Sequence, residues 1–157
     1  MPNCDAGLVS VLMSVYNGAP TLEKAAASVL AQTYRELELI LCDDASTDDT
    51  WRIMQRIAAQ DARVTIFQNK TNLGLGASLN KCLARAQGAY IARQDADDVS
   101  DSDRIERTMD FLLSSGAPYA ACGVRVFDDT GVWSTRQFPQ TVSYTHLRAH
   151  ETLSDLV

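Results

Sequence analysis

The feature that most constrains this 157-residue chain is a repeat distance. β-rich apolar runs lie at Leu8–Val15, Leu37–Cys42, Val64–Phe67 and Ala89–Ala92, about 25 to 30 residues apart. That interval suits one strand plus one crossover helix. The segments between the runs carry helical spacing. Leu22, Ala25, Ala26, Val29 and Leu30 repeat at i, i+3, i+4, i+7, i+8, and Leu75, Leu79, Cys82, Leu83 and Ala86 keep a similar stripe. Trp51, Met54, Ile57 and Ala58 do so less perfectly. The order βαβαβαβ predicts an α/β fold with a Rossmann-like parallel sheet and flanking helices, and strands covered on both faces explain the near-continuous apolar run Val9–Val15. Asp103–Ser114 is a further helix by Ile105, Met109, Leu112 and Leu113, stopped by Ser115-Gly116-Ala117-Pro118, and Tyr119–Phe127 reads as another strand.

Composition narrows the partners. Lys plus Arg number 14 against 20 Asp plus Glu, a net charge of −6, which argues against a non-specific grip on nucleic acid. No run approaches the roughly 18 apolar residues of a membrane-spanning helix, and the N-terminus lacks a secretory signal. Cys4, Cys42, Cys82 and Cys122 lie far apart and form no C-x-x-C pair, so they read as reduced thiols of a cytoplasmic protein.

The C-terminal end reads as a segment of foreign origin, the alternative being a native amphipathic end. Val142–Thr152, Val-Ser-Tyr-Thr-His-Leu-Arg-Ala-His-Glu-Thr, is what a transposase mosaic end and sequencing adapter encode in the frame that starts at its GTC. The two preceding adapter bases, CT, close a Thr codon for Thr141, and the adapter bases beyond a sample index give Asp155-Leu156-Val157 in register. The expected organisation is therefore a domain part over residues 1–141 and a non-native, adapter-encoded tail over 142–157. Both histidines, His146 and His150, fall in that tail, which removes them from any catalytic scheme.

In open parallel sheets ligands collect at the carboxyl ends of the strands. After the first strand comes Ser14-Val15-Tyr16-Asn17-Gly18, after the second Asp43-Asp44-Ala45-Ser46-Thr47-Asp48-Asp49, and after the fourth Gln94-Asp95-Ala96-Asp97-Asp98. Asp95, Asp97, Asp98, Asp101 and Asp103 crowd five carboxylates into nine positions, which is costly unless a cation or donors compensate. The D-x-D spacing of Asp95 and Asp97 supplies hard oxygen ligands for Mg²⁺ or Mn²⁺ and a diphosphate; it equally suits an acidic loop entering a helix, the reading that accounts for Asp101 and Asp103. Ser46, Asp48 and Asp49 read as a helix start, whereas Asp43-Asp44 leaves one acid able to accept hydrogen bonds from a base or ribose. Tyr16 is either a stacking surface for a base or a packed rim residue, and Asn72-Leu73-Gly74-Leu75-Gly76 is a weak phosphate-loop signal.

Together these segments resemble the family 2 glycosyltransferases of GT-A fold. The matching residues are Val9-Ser10-Val11 with Tyr16-Asn17-Gly18, Ser28–Tyr34, Asp43–Asp48, Asn72-Leu73-Gly74-Leu75 with Asn80, and Gly88–Asp98 closed by Arg104. The resemblance spans roughly Leu8 to Leu113. It implies a nucleotide-sugar enzyme in which Ser14, Tyr16 and Asp44 contact the uridine of a UDP-sugar and Asp97, with Asp95, binds Mn²⁺ or Mg²⁺ through the diphosphate. Asp95 would also lie near ribose or sugar, and Asp98 would meet the sugar. It further implies an inverting transfer to a saccharide or lipid-linked acceptor, in polysaccharide assembly at the inner face of the bacterial cytoplasmic membrane. The family's catalytic base lies further downstream, so no residue before Gln140 is expected to be catalytic. Ser14 departs from a common Pro, Cys82 from a common Gly and Ser102 from a common Pro.

Rival readings are a nucleotidyltransferase of related fold, a receiver-type domain and a non-catalytic nucleotide-binding fragment. A triphosphate-binding enzyme wants cations after its first strand, where Tyr16-Asn17-Gly18-Ala19-Pro20 has none. A receiver wants an acceptor Asp after its third strand, where this chain has Gln68-Asn69-Lys70.

Overall fold

The computed structural model describes residues 5–128 and 131–136. Its elements run β1 (Asp5–Val15), α1 (Leu22–Leu30), β2 (Leu37–Asp43), α2 (Thr50–Gln60), β3 (Val64–Gln68), α3 (Leu75–Leu83), β4 (Gly88–Arg93), α4 (Arg104–Ser115), β5 (Val124–Asp128) and β6 (Gly131–Arg136). The first four strands form one parallel sheet in the order β3-β2-β1-β4.

Register decides what each face buries. With Val9 opposite Leu37 and Val15 opposite Asp43, alternation sends Val9, Val11, Met13 and Val15 to one face. There they pack with Leu37, Leu39 and Leu41 against the apolar stripes of α1, α2 and α4, including Leu22, Ala26, Met54, Ile57, Ile105 and Met109. Leu12, Ile40 and Cys42 point the other way and meet Leu79 and Cys82 of α3. Handedness explains the division. Right-handed crossovers from β1 to β2 to β3 lay α1 and α2 on one face; the chain then returns across the sheet to place β4 beside β1, and the same hand puts α3 on the opposite face. Full burial of a side chain such as Met13, Leu22 or Leu39 contributes about 1.5–3 kcal/mol each.

Two local expectations change. The strand expected over Tyr119–Phe127 begins only at Val124, because a strand needs a partner ladder: Val124–Asp128 pairs antiparallel with Gly131–Arg136, and residues 119–123 face no strand among the described residues. The α4 entry is not capped by its own acids either. Asp103, at the N-cap, makes no side-chain cap bond; the Ile105 N–H donates instead to Gln32 Oε1 at 2.9 Å. No described helix is long and apolar enough to cross a membrane. The tail 142–157, with His146 and His150, lies outside the described residues.

Candidate functional site

The sheet order reverses between β1 and β4, so the loops that leave their carboxyl ends diverge and open a crevice. Ladder bonds continue past the strands. The Asp44 N–H donates to Val15 O at 2.8 Å, the Asn69 N–H to Asp43 O at 2.8 Å and the Gln94 N–H to Leu12 O at 3.1 Å, which aligns the loops after β1, β2, β3 and β4 along one edge.

The first two of these loops are stitched by side chains. Asn17 sits at φ 52°, a left-handed conformation that Asn tolerates, and its Oδ1 accepts the Thr47 N–H at 2.8 Å. Ser46 Oγ accepts the Asn17 N–H at 2.9 Å, Thr50 Oγ1 the Gly18 N–H at 3.0 Å and Asp48 Oδ2 the Ala19 N–H at 3.1 Å. A Cβ at residue 18 would fall 2.4 Å from Val15 Cγ2, so a side chain there would have to displace the buried Val15. Asp48 still serves the start of α2 by accepting the Thr50 N–H at 3.0 Å, while Ser46 is turned to β1's loop rather than to the helix.

Between the ends of β1 and β4 lies a cleft of about 380 Å³. Ser14, Val15, Tyr16, Asn17 and Gly18 line one side with Thr21 and Leu75; Arg93, Asp95, Ala96 and Asp97 line the other. Ser14, Tyr16, Asp95 and Asp97 are thus brought together. Tyr16 is 52% exposed, so its ring is an open surface rather than a packed rim. No hydrogen bond or ion pair among the described residues engages the Asp97 carboxylate, whereas Asp95 is held by Arg93, with Nε–Oδ1 at 3.0 Å, Nη2–Oδ1 at 2.8 Å and Nη2–Oδ2 at 3.1 Å. Burial, followed by the charges of Asp97 and Asp95, pushes the neighbouring Asp98 above the ordinary carboxylate range, while Arg104 and Arg93 pull it back.

Two buried amides shape the acidic loop. Gln94, 4% exposed, donates from Nε2 to Asp98 O at 3.0 Å and to Asp95 O at 3.2 Å; its Oε1 accepts from Ser100 Oγ at 2.6 Å and Arg104 Nη1 at 2.6 Å. Gln32, fully buried, donates to Ser28 O at 3.0 Å and Asp101 O at 2.7 Å. Arg104 also donates to Arg93 O at 2.8 Å. Arg93, Gln94 and Gln32 carry no role in the sequence reading. Arg93 was detectable in principle, since two residues apart on an extended segment it shares a side with Asp95.

Asp44, expected to contact the base, stands behind the cleft wall rather than on its surface. It is 2% exposed and does not line the cleft. Its Oδ1 accepts from Asn69 Nδ2 at 2.8 Å and the Leu73 N–H at 2.9 Å, and its Oδ2 accepts the Gly74 N–H at 2.8 Å. Burial works against its charge, but the Leu73 N–H, Asn69, Ser78 and the Gly74 N–H outweigh it and hold the carboxyl below its ordinary value. The physical reason is geometric: β2 ends one residue earlier, and the 72–74 loop folds back over the carboxylate. Asp43, fully buried, is likewise spent on the Ser46 N–H at 2.9 Å and Gln68 Nε2 at 2.7 Å.

No group of three or more His, Cys, Asp or Glu side chains converges on a metal-sized space among the described residues. The fit is to a hard cation that takes one or two carboxylates and completes its shell with phosphate oxygens and water, the habit of Mg²⁺ and its like. Asp97, without a hydrogen-bond or ion-pair partner among the described residues, and Asp95 beside it are the residues that would hold it.

Comparison with known proteins gives the family and the fold. The model of glycosyl transferase family 2 matches residues 10–155. The "Putative glycosyltransferase EpsE" of Bacillus subtilis (strain 168) is 48% identical over 133 residues, 83% of this chain and 48% of that protein. The Escherichia coli UDP-Glc:alpha-D-GlcNAc-diphosphoundecaprenol beta-1,3-glucosyltransferase WfaP is 34% identical over 140 residues, 87% of this chain and 54% of that protein. The chain spans about half the length of these curated relatives. Among solved structures, Staphylococcus aureus TarS 1-349 in complex with UDP superposes with a TM-score of 0.64 at 25% identity, covering 68% of this chain and 32% of that one. The Pyrobaculum calidifontis mannosyltransferase PcManGT in complex with GDP-Man and Mn²⁺ gives 0.64 at 27% identity, covering 76% and 35%. With a four-stranded parallel sheet reversed between β1 and β4, and a family match that runs through every loop on its carboxyl edge, this chain belongs to glycosyltransferase family 2 and has the GT-A fold.

Proposed function

We propose that this chain is the donor-binding half of an inverting glycosyltransferase that takes a UDP-sugar and serves a saccharide or lipid-linked acceptor. The observation that carries the reading is the single cleft that joins Ser14 and Tyr16 to Asp95 and Asp97. Tyr16 offers its exposed ring to the uracil, Ser14 its hydroxyl to the uridine, and Asp97 with Asp95 its oxygens to Mn²⁺ or Mg²⁺. Asp95 also lies toward ribose or sugar, with Asp98 beside it. Asp44 serves the base side indirectly by holding the 72–74 loop, which leads into Leu75 at the cleft wall. A bound divalent cation supplies charge stabilisation to a departing diphosphate. The acceptor hydroxyl is deprotonated by a carboxylate base outside residues 1–141, so the chain by itself transfers no sugar. Support comes from UDP and GDP-Man complexes of structural neighbours and from the lipid-diphosphate acceptor in the WfaP name. The enzyme works in the cytoplasm at the inner membrane face, in polysaccharide assembly.

Calorimetric titration of the 157-residue chain with UDP in Mn²⁺ and in EDTA tests this reading. UDP should bind about tenfold or more tightly with the cation, a difference of the size expected for one strong charged contact, and Asp97→Asn should erase that difference. Uridine, which has no diphosphate, should bind equally in both buffers. Equal UDP affinity with and without Mn²⁺ in wild type would overturn the metal assignment. Transfer from UDP-sugars to an acceptor panel would overturn the placement of the base.

A further inference from the structure

We propose that Arg93 is a diphosphate ligand that exchanges partners: it clamps Asp95 in the free protein and passes to the diphosphate oxygens when donor and cation enter. The inference rests on the donor reading above and extends it to a residue outside the acidic motif.

Charge motivates it. Arg93 is the one cationic side chain among the described residues lining the cleft, which it shares with Asp95 and Asp97. A diphosphate entering there meets like charge from both carboxylates, and a single divalent cation does not neutralise the two carboxylates and the diphosphate together. The ion pair is also built to open. The Arg93 and Asp95 side chains are 51% and 42% exposed, so solvent screens their attraction and their separation costs less than about a tenfold change in equilibrium. Meanwhile the root of the arginine is fixed. Its backbone pairs in register with Leu12 of β1, and its carbonyl accepts Arg104 Nη2 at 2.8 Å, so the guanidinium can swing on a stationary Cα.

Competition supplies the trigger. Both oxygens of Asp95 are occupied by Nε and Nη2 of Arg93 at 2.8 to 3.1 Å, on the side chain that would share the cation with Asp97. Recruiting Asp95 to the cation therefore releases the guanidinium, whose planar fork suits two phosphate oxygens as well as it suits a carboxylate. A purely structural Arg93–Asp95 pair would give none of the opposed effects below.

Two measurements on the full chain test the exchange, with circular dichroism melts confirming that each variant folds. By electron paramagnetic resonance, Mn²⁺ alone should bind Arg93→Gln about threefold more tightly than wild type, because a competitor for Asp95 is gone. By calorimetry in saturating Mn²⁺, UDP should bind Arg93→Gln about tenfold more weakly, with uridine unchanged and Arg93→Lys intermediate. In EDTA, Asp95→Asn should bind UDP more tightly than wild type through the freed arginine, and the gain should vanish in Asp95→Asn/Arg93→Gln. Undiminished UDP binding by Arg93→Gln, or a parallel fall of Mn²⁺, UDP and uridine, would overturn the proposal. Loss of the exchange signature with intact wild-type UDP binding defeats this inference alone; a wild type that binds no UDP defeats the donor reading and this inference with it.

Discussion

Replacing Asp44 with alanine should cost the fold about 2–4 kcal/mol. The carboxylate is 2% exposed and accepts three hydrogen bonds, from Asn69 Nδ2 and from the Leu73 and Gly74 N–H groups. Bonds to a charged acceptor contribute about 1.5–3 kcal/mol each, but they do not simply add here. Leu73 and Gly74 are exposed, so water can solvate their N–H groups once the loop lifts. Asn69 Nδ2 keeps Ser78 Oγ at 2.8 Å, and the variant is relieved of a buried charge. The sum shrinks to roughly half, which for a domain of this size is a fall in Tm of about 6–15 °C. Urea unfolding at 25 °C and near-ultraviolet melting measure it. The pH dependence has a definite sign. Asp44 has its folded pKa lowered, so the stability it brings is fully present above its unfolded value near 3.9 and is lost as pH falls through the folded value. The gap between wild type and Asp44→Ala should therefore be constant from about pH 5 to 8 and close below about pH 4. A companion variant isolates the loop. Gly74 stands at φ 83° and ψ 164°, a region nearly closed to other residues, so Gly74→Ala strains the loop by about 1–3 kcal/mol without touching the carboxylate. Both variants should weaken uridine binding, Asp44→Ala more. A gap under 1 kcal/mol at pH 7 would refute the hydrogen-bond reckoning, and uridine binding lost in Asp44→Ala but intact in a destabilised Gly74→Ala would refute the indirect role.

Gln32→Leu should destabilise by about 2–4 kcal/mol in urea and weaken Mn²⁺-dependent UDP binding, because it strands the buried Ile105 N–H and the Asp101 carbonyl and unties α1 from the acidic loop; a loss under 0.5 kcal/mol would count against that role. Removing residues 142–157 should leave Tm and UDP binding unchanged, as an adapter-encoded segment would; a marked loss of stability would show that these residues belong to the fold.

The alternating elements were legible because their signals are local. The i, i+3, i+4 stripe of Leu22 to Leu30 and the apolar run Val9–Val15 each specify an element within a dozen residues, and β1 to β4 and α1 to α4 stand within a few residues of where the pattern sets them. The cleft was legible one step further on, since parallel order forces the loops after β1 and β4 to one edge. What escaped depends on pairing at a distance. The Asp44 donors Leu73 and Gly74 lie 29 and 30 residues away, and Gln32 reaches Ile105 across 73. No window of sequence contains both halves of those interactions.

The acidic residues show why composition at a strand end underdetermines a site. Asp43-Asp44 and Asp95-Ala96-Asp97 look alike as clusters, and each lies at the carboxyl end of a strand of the same sheet. They divide by what reaches their oxygens. Asp43, Asp44 and Asp48 accept neutral N–H or O–H donors from Ser46, Gln68, Asn69, Leu73, Gly74, Thr50 and Ala19, so their charge is consumed in building the platform. Asp95 meets only a solvent-exposed arginine through its carboxylate, and Asp97 meets no partner among the described residues. A neutral donor network stabilises a carboxylate permanently, whereas an exposed counterion stabilises it until a better one arrives. Acids of the first kind are expected to respond to substitution in stability, and those of the second kind in metal and diphosphate affinity, so paired measurements on Asp44 and Asp97 variants read the division directly from solution.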